Sequence, residues 1–183
     1  MIIALTGPAG CGKTTLAQAL VKQHSFVRAR FAGPLKDMLR ALGLTEAQVD
    51  GDAKEKPSDL LCGKTSRHAM QTLGTEWGRQ LIGADVWVNA TMRVVDNLIV
   101  GHRDVVIDDL RFDNEARALT ARDALIVQVS REGTAPSNVH ASEQGIAPAW
   151  ISTRLTNDGT IDEAVQTLRL LAETRRSRGR REL

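Results

Sequence analysis

The sequence has no tyrosine, only three tryptophans and three phenylalanines, and only two cysteines among its 183 residues. With so few aromatic side chains, the core must be aliphatic and built from leucine, valine, isoleucine and alanine. The two cysteines, Cys11 and Cys62, cannot form a disulfide framework or a zinc site by themselves. No apolar run approaches the length of a membrane span, and the N-terminus has no basic stretch followed by an apolar one. We therefore expect a cytoplasmic protein without a membrane segment.

A positive net charge is also absent from most of the chain, although the whole chain carries +2. Residues 175 to 183 contain five arginines and one glutamate, whereas the remaining residues carry 19 basic and 21 acidic side chains. A protein that binds nucleic acid without sequence preference usually carries its positive charge on the folded surface. We therefore expect no stable nucleic-acid binding, and we expect residues 175 to 183 to form a basic, disordered tail.

Short apolar runs alternate with amphipathic patterns along the rest of the chain. Strand-like runs lie at 1–6, 25–31, 105–107, 125–129 and 151–155, and helical patterns begin near 13, 34, 67, 87, 113 and 160. This alternation is typical of an α/β domain with a parallel sheet, and the length predicts one such domain over residues 1 to 174. Two polar, glycine-bearing segments interrupt the pattern. Residues 50 to 65 are predicted to form a mobile loop, and residues 131 to 150 an insertion between elements.

The most specific motif follows the first apolar run. Residues Gly7 to Thr14 match G-x-x-x-x-G-K-[ST] between a predicted buried strand and the start of a predicted helix. Glycines in such a loop let successive backbone N–H groups converge on phosphate oxygens, and the helix start adds unpaired donors. Lys13 is expected to reach the β- and γ-phosphates, and the Thr14 hydroxyl to bind Mg²⁺. The predicted contacts with a nucleoside triphosphate are Gly7, Ala9, Gly10, Cys11, Gly12, Lys13, Thr14 and Thr15.

A cluster of charged residues follows the predicted strand at 105 to 107. Asp108 and Asp109 end this strand, where a P-loop protein holds the metal or a water bound to it, and we favour Asp109 for that role. Arg111 lies two residues further along the same edge and is suited to contact an anion. The alternative interpretation, acids that cap the next helix, fits Asp113 well.

The segment from Arg67 to Arg79 has two glycines inside a helical pattern. An α-helical wheel separates an apolar stripe from a polar, glycine-bearing face. The stripe consists of Met70, Leu73, Trp77 and Leu81, and the face of Arg67, Gln71, Gly74, Thr75 and Gly78. Because each glycine costs about 1 kcal/mol relative to alanine inside a helix, we interpret this face as a wall that a flat base can approach. A frayed helix with an ordinary solvated face is the alternative.

A P-loop alone does not distinguish a switch, a motor and a kinase. A guanine-binding switch would need N-K-x-D on a late strand, and the nearest segment, Asn157 to Thr160, lacks the lysine. Motor ATPases are generally larger, whereas a small-molecule kinase needs little more than an acceptor pocket and arginines over the transferred phosphate. The alternatives left open are a kinase for another phosphorylated metabolite, such as dephospho-coenzyme A or phosphomevalonate, and a regulatory P-loop NTPase that is not a kinase.

Together the motifs resemble the bacteriophage-type deoxynucleoside monophosphate kinase family. The resemblance rests on the P-loop, Phe31 to Lys36, Arg67 to Arg79, Asp109 to Glu115 and His140 to Glu143, which span about residues 1 to 160. It implies transfer of the γ-phosphoryl group from ATP, with Mg²⁺, to a deoxynucleoside 5′-monophosphate. It also implies a three-layer α/β/α P-loop fold with a mostly parallel sheet, an acceptor-binding region at about 36 to 80 and a lid at about 131 to 150.

The resemblance further implies roles for individual side chains. The candidates for binding the base and sugar of the acceptor are Arg67, Gln71, Thr75 and Arg79. Lys36 is a candidate for a further phosphate contact, and Arg111 would face the acceptor phosphate. Asp109 would lie near Mg²⁺, and Arg131 is the candidate for reaching the transferred phosphoryl group. We expect action in the cytoplasm, that of the host cell if the chain is of phage origin, and leave a homodimer open.

Overall fold

The strands of the main sheet coincide with the apolar runs of the sequence in a computed structural model of the chain, which describes residues 1–134 and 145–179. In chain order the strands are β1 (Ile2–Thr6), β2 (Val27–Ala29), β3 (Pro57–Ser58), β4 (Lys64–Thr65), β5 (Val105–Ile107), β6 (Leu125–Ser130) and β7 (Thr153–Thr156). The α-helices are α1 (Lys13–His24), α2 (Gly33–Ala41), α3 (Glu46–Val49), α4 (Ser66–Gln71), α5 (Val86–Val100), α6 (Asp113–Thr120) and α7 (Ile161–Gly179).

The main sheet is parallel and has the order β2-β5-β1-β6-β7. Its central strand, β1, places Ile3 opposite Val106 of β5 and Ala4 opposite Ile126 of β6. Every residue of β1 is buried, as an apolar run without alternation predicts for a strand covered on both faces. The chain builds the sheet on the β5 side of β1 and then crosses to β6. Such a reversal opens a crevice at the carboxyl ends of the strands, where α/β sheets bind ligands.

Helices cover both faces of this sheet. Ile3 and Leu5 of β1 lie in one buried cluster with residues of α1 and α7. The alternate residues of a strand point to the opposite face, and α6, with Ala116 and Leu119 fully buried, packs against β6 outside that cluster. The architecture is the predicted three-layer α/β/α sandwich. None of the helices in the described residues is both long and apolar enough to cross a bilayer.

The chain divides into two compact units, Met1–Arg30 with Met92–Leu183, and Phe31–Thr91. The first unit contains the main sheet. The second has its own small core, in which Leu39, Leu44 and Val49 are buried and Leu61, Ala69, Met70 and Leu73 pack against them. The region predicted to bind the acceptor, 36 to 80, lies within the sequence limits of the second unit.

Residues 50 to 65 are not the irregular loop that their polarity and glycines predict. Asp52–Glu55 and Asp59–Leu61 form 3₁₀ turns, and β3 and β4 pair as a short antiparallel hairpin. The reason is tertiary: Leu61, one of the few apolar residues of the segment, packs against the small core of this unit. One such anchor orders a segment whose local composition favours a loop.

The helix predicted over 67 to 81 changes type along its length. After the α-helical turn at Ser66–Gln71, residues Thr72–Ile82 form a π-helix. Because i→i+5 hydrogen bonds widen each turn, an α-helical wheel misplaces the later side chains. Met70 and Leu73 pack on the core as predicted, but Leu81, predicted to continue their stripe, is 77% exposed.

The last helix is longer than the sequence pattern predicts. It continues to Gly179, so residues 175 to 179, predicted as part of a disordered tail, are helical. Arg175 Nε donates to Asp123 Oδ1 at 2.9 Å, a contact that no local pattern could indicate. Arginine is also a good helix former, and positive charge is favourable at the carboxyl end of a helix. Residues 180 to 183 lie outside the described part of the chain.

Candidate active site

The predicted phosphate-binding loop joins β1 to α1 at the carboxyl edge of the sheet. Gly7 has φ +137° and Gly12 has φ +96°, both in the left-handed region that favours glycine. A side chain at Gly7 would also collide with the backbone, since its Cβ would lie 2.1 Å from the Val129 carbonyl oxygen. α1 begins at Lys13, so the N–H groups of its first turn have no partner within the helix. This loop and helix start have the form that binds phosphate oxygens.

Lys13 bends back over the loop that precedes it. Its Nζ donates to the carbonyl oxygens of Gly7 at 2.7 Å and Pro8 at 2.6 Å, and lies 3.6 Å from Cys11 Sγ. Two of these partners are uncharged carbonyl oxygens, and no carboxylate of the described residues pairs with Lys13. Of the loop residues predicted to contact the nucleotide, Ala9, Gly10, Thr14 and Thr15 are exposed, Gly7, Gly12 and Lys13 are half-buried, and Cys11 is buried.

A buried carboxylate lies beside the start of α1. The Thr14 hydroxyl donates to Asp108 Oδ2 at 2.8 Å, and Asp108 is only 4% exposed. Arg28 of β2 grips the same carboxylate with two hydrogen bonds, Nε to Oδ1 at 2.9 Å and Nη2 to Oδ2 at 2.5 Å. A bidentate arginine both neutralises a carboxylate and fixes its plane. The structure therefore orients one acid towards the hydroxyl predicted to bind the metal.

The acid beside Thr14 is Asp108, whereas the sequence favoured Asp109. Side chains that alternate along a strand point to opposite faces, so Asp108 points the same way as Val106. Val106 belongs to the buried cluster that includes residues of α1, which explains why Asp108 meets the start of that helix. Asp109 is half-buried. Because it is the next residue along the chain, its side chain is expected to point towards the opposite face of the sheet from that of Asp108.

Arg111 is exposed at the turn between β5 and α6, and its guanidinium has no partner among the described residues. The turn itself is rigid, because the buried Glu115 accepts hydrogen bonds from the backbone N–H groups of Arg111 at 2.9 Å and Phe112 at 3.1 Å. Its charge is therefore carried on a fixed backbone and is available to an anion.

Both described ends of the predicted lid, 131 to 150, are held by carboxylates. Asp158 Oδ1 accepts from the Glu132 N–H at 2.8 Å, and Asp113 Oδ1 accepts from the Ala147 N–H at 2.8 Å. Asp113 thus serves a tertiary contact as well as starting α6. Arg131 is exposed, and no side-chain partner for it lies in the described residues. His140 to Glu143, part of the family resemblance, lie outside the described residues.

In the second unit the predicted phosphate contact, Lys36, is already paired. Its Nζ lies 2.5 Å from Asp50 Oδ1, and the two side chains are only 14% and 19% exposed. Arg40 Nη2 contacts the other oxygen of Asp50 at 2.6 Å and also pairs with Glu46. Desolvation lowers the pKa of Arg40, but the contacts with Glu46 and Asp50 together outweigh it and leave that pKa above its ordinary value. A phosphate would have to compete with Asp50 for Lys36.

The other candidates for acceptor binding lie on α4 and the π-helix. Arg67 is exposed and pairs with Glu55, and Arg79 Nη1 donates to the Ala84 carbonyl at 3.2 Å. Gln71 is exposed and Thr75 is half-buried. These four residues belong to one compact unit, and the predicted roles of their side chains remain predictions.

The glycines of this helix have a packing role that the sequence did not indicate. A Cβ at Gly78 would lie 2.5 Å from Trp87 Nε1, so an indole ring occupies the space beside Gly78. The same indole donates to the Gly74 carbonyl at 2.8 Å, and the Trp87 ring centroid lies 5.9 Å from that of Trp77. Gly78 therefore admits a tryptophan of the protein, which corrects its interpretation as a wall for a base.

The loop, the parallel sheet and the acid beside Thr14 give the chain the fold of a P-loop nucleotide-binding protein. The crystal structure of shikimate kinase from Aquifex aeolicus is similar, with a TM-score of 0.54 and 12% identity, covering 94% of this chain and 96% of that chain. At this identity the likeness concerns the fold alone.

Sequence relatives identify the family within that class. A model of deoxynucleotide monophosphate kinases matches residues 63–168. A protein of Acanthamoeba polyphaga mimivirus, provisionally named a deoxynucleotide monophosphate kinase, is 32% identical over 89% of this chain and 91% of its own length. The deoxynucleotide monophosphate kinase of Enterobacteria phage T4 is 22% identical over 88% and 94%. The chain belongs to the deoxynucleotide monophosphate kinase family, which confirms the predicted resemblance and makes it an ATP-dependent phosphotransferase acting on a nucleoside monophosphate.

Sequence reasoning missed Arg28 and Asn157. Arg28 lies in the apolar run predicted as the second strand, and a largely buried arginine in a strand needs an anionic partner. The strand-end acids were the available signal for that partner. Asn157 was noted only for the lysine that should follow it in a switch protein, and nothing in its neighbours indicates the contact described below.

Proposed function

We propose that the chain transfers the γ-phosphoryl group of Mg²⁺-bound ATP to a deoxynucleoside 5′-monophosphate, giving the diphosphate and ADP. The observation that carries the proposal is the hydrogen bond of 2.8 Å from the Thr14 hydroxyl to Asp108, at the start of the helix that ends the glycine loop. It joins an anion-binding loop to a buried acid on the neighbouring strand, which is the pairing that a nucleotide–metal complex requires.

The residues present fit a magnesium ion. The Thr14 hydroxyl uses its proton to bind Asp108, so its oxygen lone pairs are available to a cation. Mg²⁺ keeps several waters and usually takes one or two protein oxygens together with substrate phosphates. The described residues contain no cluster of three or more His, Cys, Asp and Glu side chains suited to a metal, which such a shared site does not need. The Thr14 hydroxyl, with Asp108 behind it, would hold the ion, which would supply positive charge to offset that of the phosphates.

The donor phosphates would be held by the loop and by Lys13. The proposed contacts are Gly7, Ala9, Gly10, Cys11, Gly12, Lys13, Thr14 and Thr15. Lys13 would exchange its two carbonyl partners for the β- and γ-phosphates, gaining a charge-assisted contact in place of neutral ones. We propose that Asp108 is the acid beside the metal, and we keep Asp109 as the alternative that the mutants below would test.

Arginines would stabilise the charge that moves in the reaction. Phosphoryl transfer passes through a loose transition state, so positive charge and alignment matter more than a strong base. Arg111 is proposed to bind the acceptor phosphate and Arg131 the transferred group, because both guanidinium groups are exposed and unpaired within the described residues. A lid at 131 to 150 would exclude water, which otherwise competes as an acceptor.

The acceptor nucleoside is proposed to bind the 31–91 unit. Its candidate contacts are Lys36, Arg67, Gln71, Thr75 and Arg79. Gln71 and Thr75 supply hydrogen bonds suited to a base edge, and Lys36 would contribute only after release from Asp50. We propose that the protein binds no nucleic acid stably, and a homodimer remains possible. We also propose that it acts in the cytoplasm of an infected cell, which the viral relatives support.

The experiment is a product assay with purified protein, ATP, Mg²⁺ and a panel of deoxynucleoside and ribonucleoside monophosphates. We expect a diphosphate product from at least one deoxynucleotide and little ATP hydrolysis without an acceptor. Robust hydrolysis of ATP with no diphosphate product from any deoxynucleotide would overturn the proposal. Product identity also resolves the base preference and the discrimination against ribose.

A further inference from the structure

Asn157 lies behind the phosphate-binding loop, although 146 residues separate it from Cys11 along the chain. It follows the last strand of the sheet and is 8% exposed. Its side-chain Nδ2 donates to the Cys11 carbonyl oxygen at 3.0 Å, and its backbone N–H donates to the Ser130 carbonyl at 2.8 Å. Asn157 is therefore fixed by the sheet at one end and grips the loop with the other.

The contact determines which way one loop peptide faces. In a planar trans peptide the C=O and the following N–H point in opposite directions. Because Asn157 holds the Cys11 carbonyl, the N–H of Gly12 is directed away from Asn157. Turning this peptide over would present a carbonyl oxygen where the loop now presents a donor, and an oxygen repels a phosphate.

Glycine makes that reversal cheap unless something prevents it. Gly12 has φ +96°, and a residue without Cβ adopts either sign of φ with little cost. A Cβ built on Gly12 would lie 2.3 Å from Asn157 Nδ2, so the amide packs directly on the glycine backbone. Gly12 thus allows the contact sterically, and Asn157 supplies the restraint that glycine lacks.

We propose that Asn157 is a positioning residue that holds the Cys11–Gly12 peptide in the orientation that donates to the nucleotide phosphates. The inference rests on the proposed donor role of the loop. Asn157 does not touch the substrate: it acts through the backbone, and its loss should weaken nucleotide binding more than it weakens the fold.

The test compares Asn157→Ala, Asn157→Asp and the control Thr156→Ala in the full chain. Asn157→Ala removes the donor, and Asn157→Asp keeps the volume while placing an oxygen against the Cys11 carbonyl. Thr156 is the preceding exposed residue, so its substitution reports only general effects at this turn. Mg·ADP affinity is measured by titration calorimetry, with melting temperature and circular dichroism as checks on folding.

We expect both Asn157 variants to weaken Mg·ADP binding by about tenfold or more, while Thr156→Ala stays within about twofold of the wild type. The KM for the monophosphate should change less than the KM for ATP. Folded Asn157 variants that bind Mg·ADP as the wild type does would overturn the proposal. If the wild type itself bound no nucleotide, the donor role of the loop would fail first, which keeps the two failures distinct.

A second measurement does not depend on the variants folding. In the wild type, the ¹⁵N-resolved amide resonance of Gly12 should shift strongly on addition of Mg·ADP, because that N–H acquires a charged acceptor. In any variant that folds, the shift should shrink. If the wild type binds Mg·ADP and the Gly12 amide resonance does not shift, the proposal is overturned, since the Cys11–Gly12 peptide would not face the phosphates.

Discussion

Lys13 of the first unit and two cations of the 31–91 unit, Lys36 and Arg67, differ in what holds them. In the first unit, Lys13 donates to the carbonyl oxygens of Gly7 and Pro8, which carry no net charge. In the 31–91 unit, Lys36 is paired with Asp50, and Arg67 with Glu55. The carbonyl oxygens orient the charge of Lys13 without neutralising it, whereas the carboxylates both orient and neutralise the charges of Lys36 and Arg67.

This difference decides how much each cation gains from a phosphate. A cation held by carbonyls exchanges neutral partners for charged ones, while a cation held by a carboxylate must leave that carboxylate unpaired. Lys13 can therefore bind an anion without breaking an ion pair, whereas Lys36 first stabilises the fold through its ion pair with Asp50. Arg28 of the first unit is paired with a carboxylate, as Arg122 and Arg175 are, but its partner Asp108 is itself part of the proposed metal side. Arg28 orients the Asp108 carboxylate, and Asp108 accepts the hydrogen bond from the Thr14 hydroxyl at the proposed metal site.

The largest expected effect is at Lys13. Lys13→Ala should lower kcat by about 10²–10³-fold, because an uncancelled charge aimed at the transferred phosphate is lost. The assay is ADP production at saturating monophosphate. Lys22→Ala is the matched control: Lys22 is an exposed lysine of the same helix and should leave the rate within about twofold. Equal effects of the two substitutions would remove the basis of the comparison.

The strand-end acids give the next effect in size. Asp108→Asn should lower kcat by about 10²-fold and raise the Mg²⁺ concentration needed for half-maximal rate, because it weakens the acceptor of the Thr14 hydroxyl and frees Arg28. Asp109→Asn should change both quantities less. A larger shift in the Mg²⁺ titration for Asp109→Asn would return the metal role to that residue.

Arg111 tests the exposed cations of the first unit. Arg111→Ala should raise the KM for the monophosphate and lower kcat/KM by about 10–10²-fold, with the KM for ATP little changed. Arg111→Lys should recover part of the loss, since it keeps the charge but not the planar fork. Unchanged acceptor kinetics in Arg111→Ala would show that this guanidinium, although free among the described residues, is not directed at the acceptor.

The paired cations of the 31–91 unit should affect stability before kinetics. Asp50→Asn should lower the free energy of unfolding by about 1–3 kcal/mol, because it weakens the pairing of both Lys36 and Arg40. Lys36→Met should cost less, and the double variant less than the sum of the two, as expected for residues in contact. The measurement is urea denaturation of all four proteins.

The same variants separate structure from binding at Lys36. We expect Lys36→Met to raise the acceptor KM less than Arg111→Ala does. A larger rise, with the stability of Lys36→Met unchanged, would make Lys36 a phosphate ligand that resembles Lys13, and the contrast between the two units would disappear.

Local sequence patterns predicted most of the first unit, because its signals are local. A buried strand, a glycine loop and a helix start follow one another within residues 2 to 24 and need no distant partner to be recognised. The choice between Asp108 and Asp109 was also within reach, since counting alternate residues back from Asp108 leads to Val106 in the face packed against α1. The sequence favoured Asp109 because the acids were ranked by motif, whereas strand direction brings Asp108 to Thr14; the metal role of either acid stays a prediction.

The 31–91 unit was harder because its determinants are distant in sequence. The change from α- to π-helix at Thr72, the indole of Trp87 against Gly78 and the anchor Leu61 are tertiary effects. Local composition assigned them an α-helix, a base-binding wall and a loop. In each case the structure depends on a residue distant in sequence, whereas the prediction used only the residues next to the segment.

The smallest expected effect belongs to a carboxylate-paired arginine inside the first unit. Arg122 donates to Asp96 with Nε at 2.6 Å and Nη2 at 2.8 Å, and these hydrogen bonds hold the pKa of Asp96 below its ordinary value of 3.8. A carboxyl whose folded pKa is lowered contributes stability above its unfolded pKa and loses it as the pH falls through the folded pKa. Asp96 is 49% exposed, so the contribution should be less than about 1 kcal/mol.

Asp96→Asn should therefore lower the melting temperature slightly at neutral pH. The difference from the wild type should shrink as the pH falls below 3.8 and vanish only below the lowered pKa of the folded state, where the wild-type carboxyl is protonated. Turnover should be unchanged, because the charge of Arg122 is neutralised by Asp96, as that of Arg67 is by Glu55. A change in kinetics with no pH-dependent loss of stability would contradict the rule that carboxylate pairing marks structural cations, and would do so within the unit proposed to bind the donor.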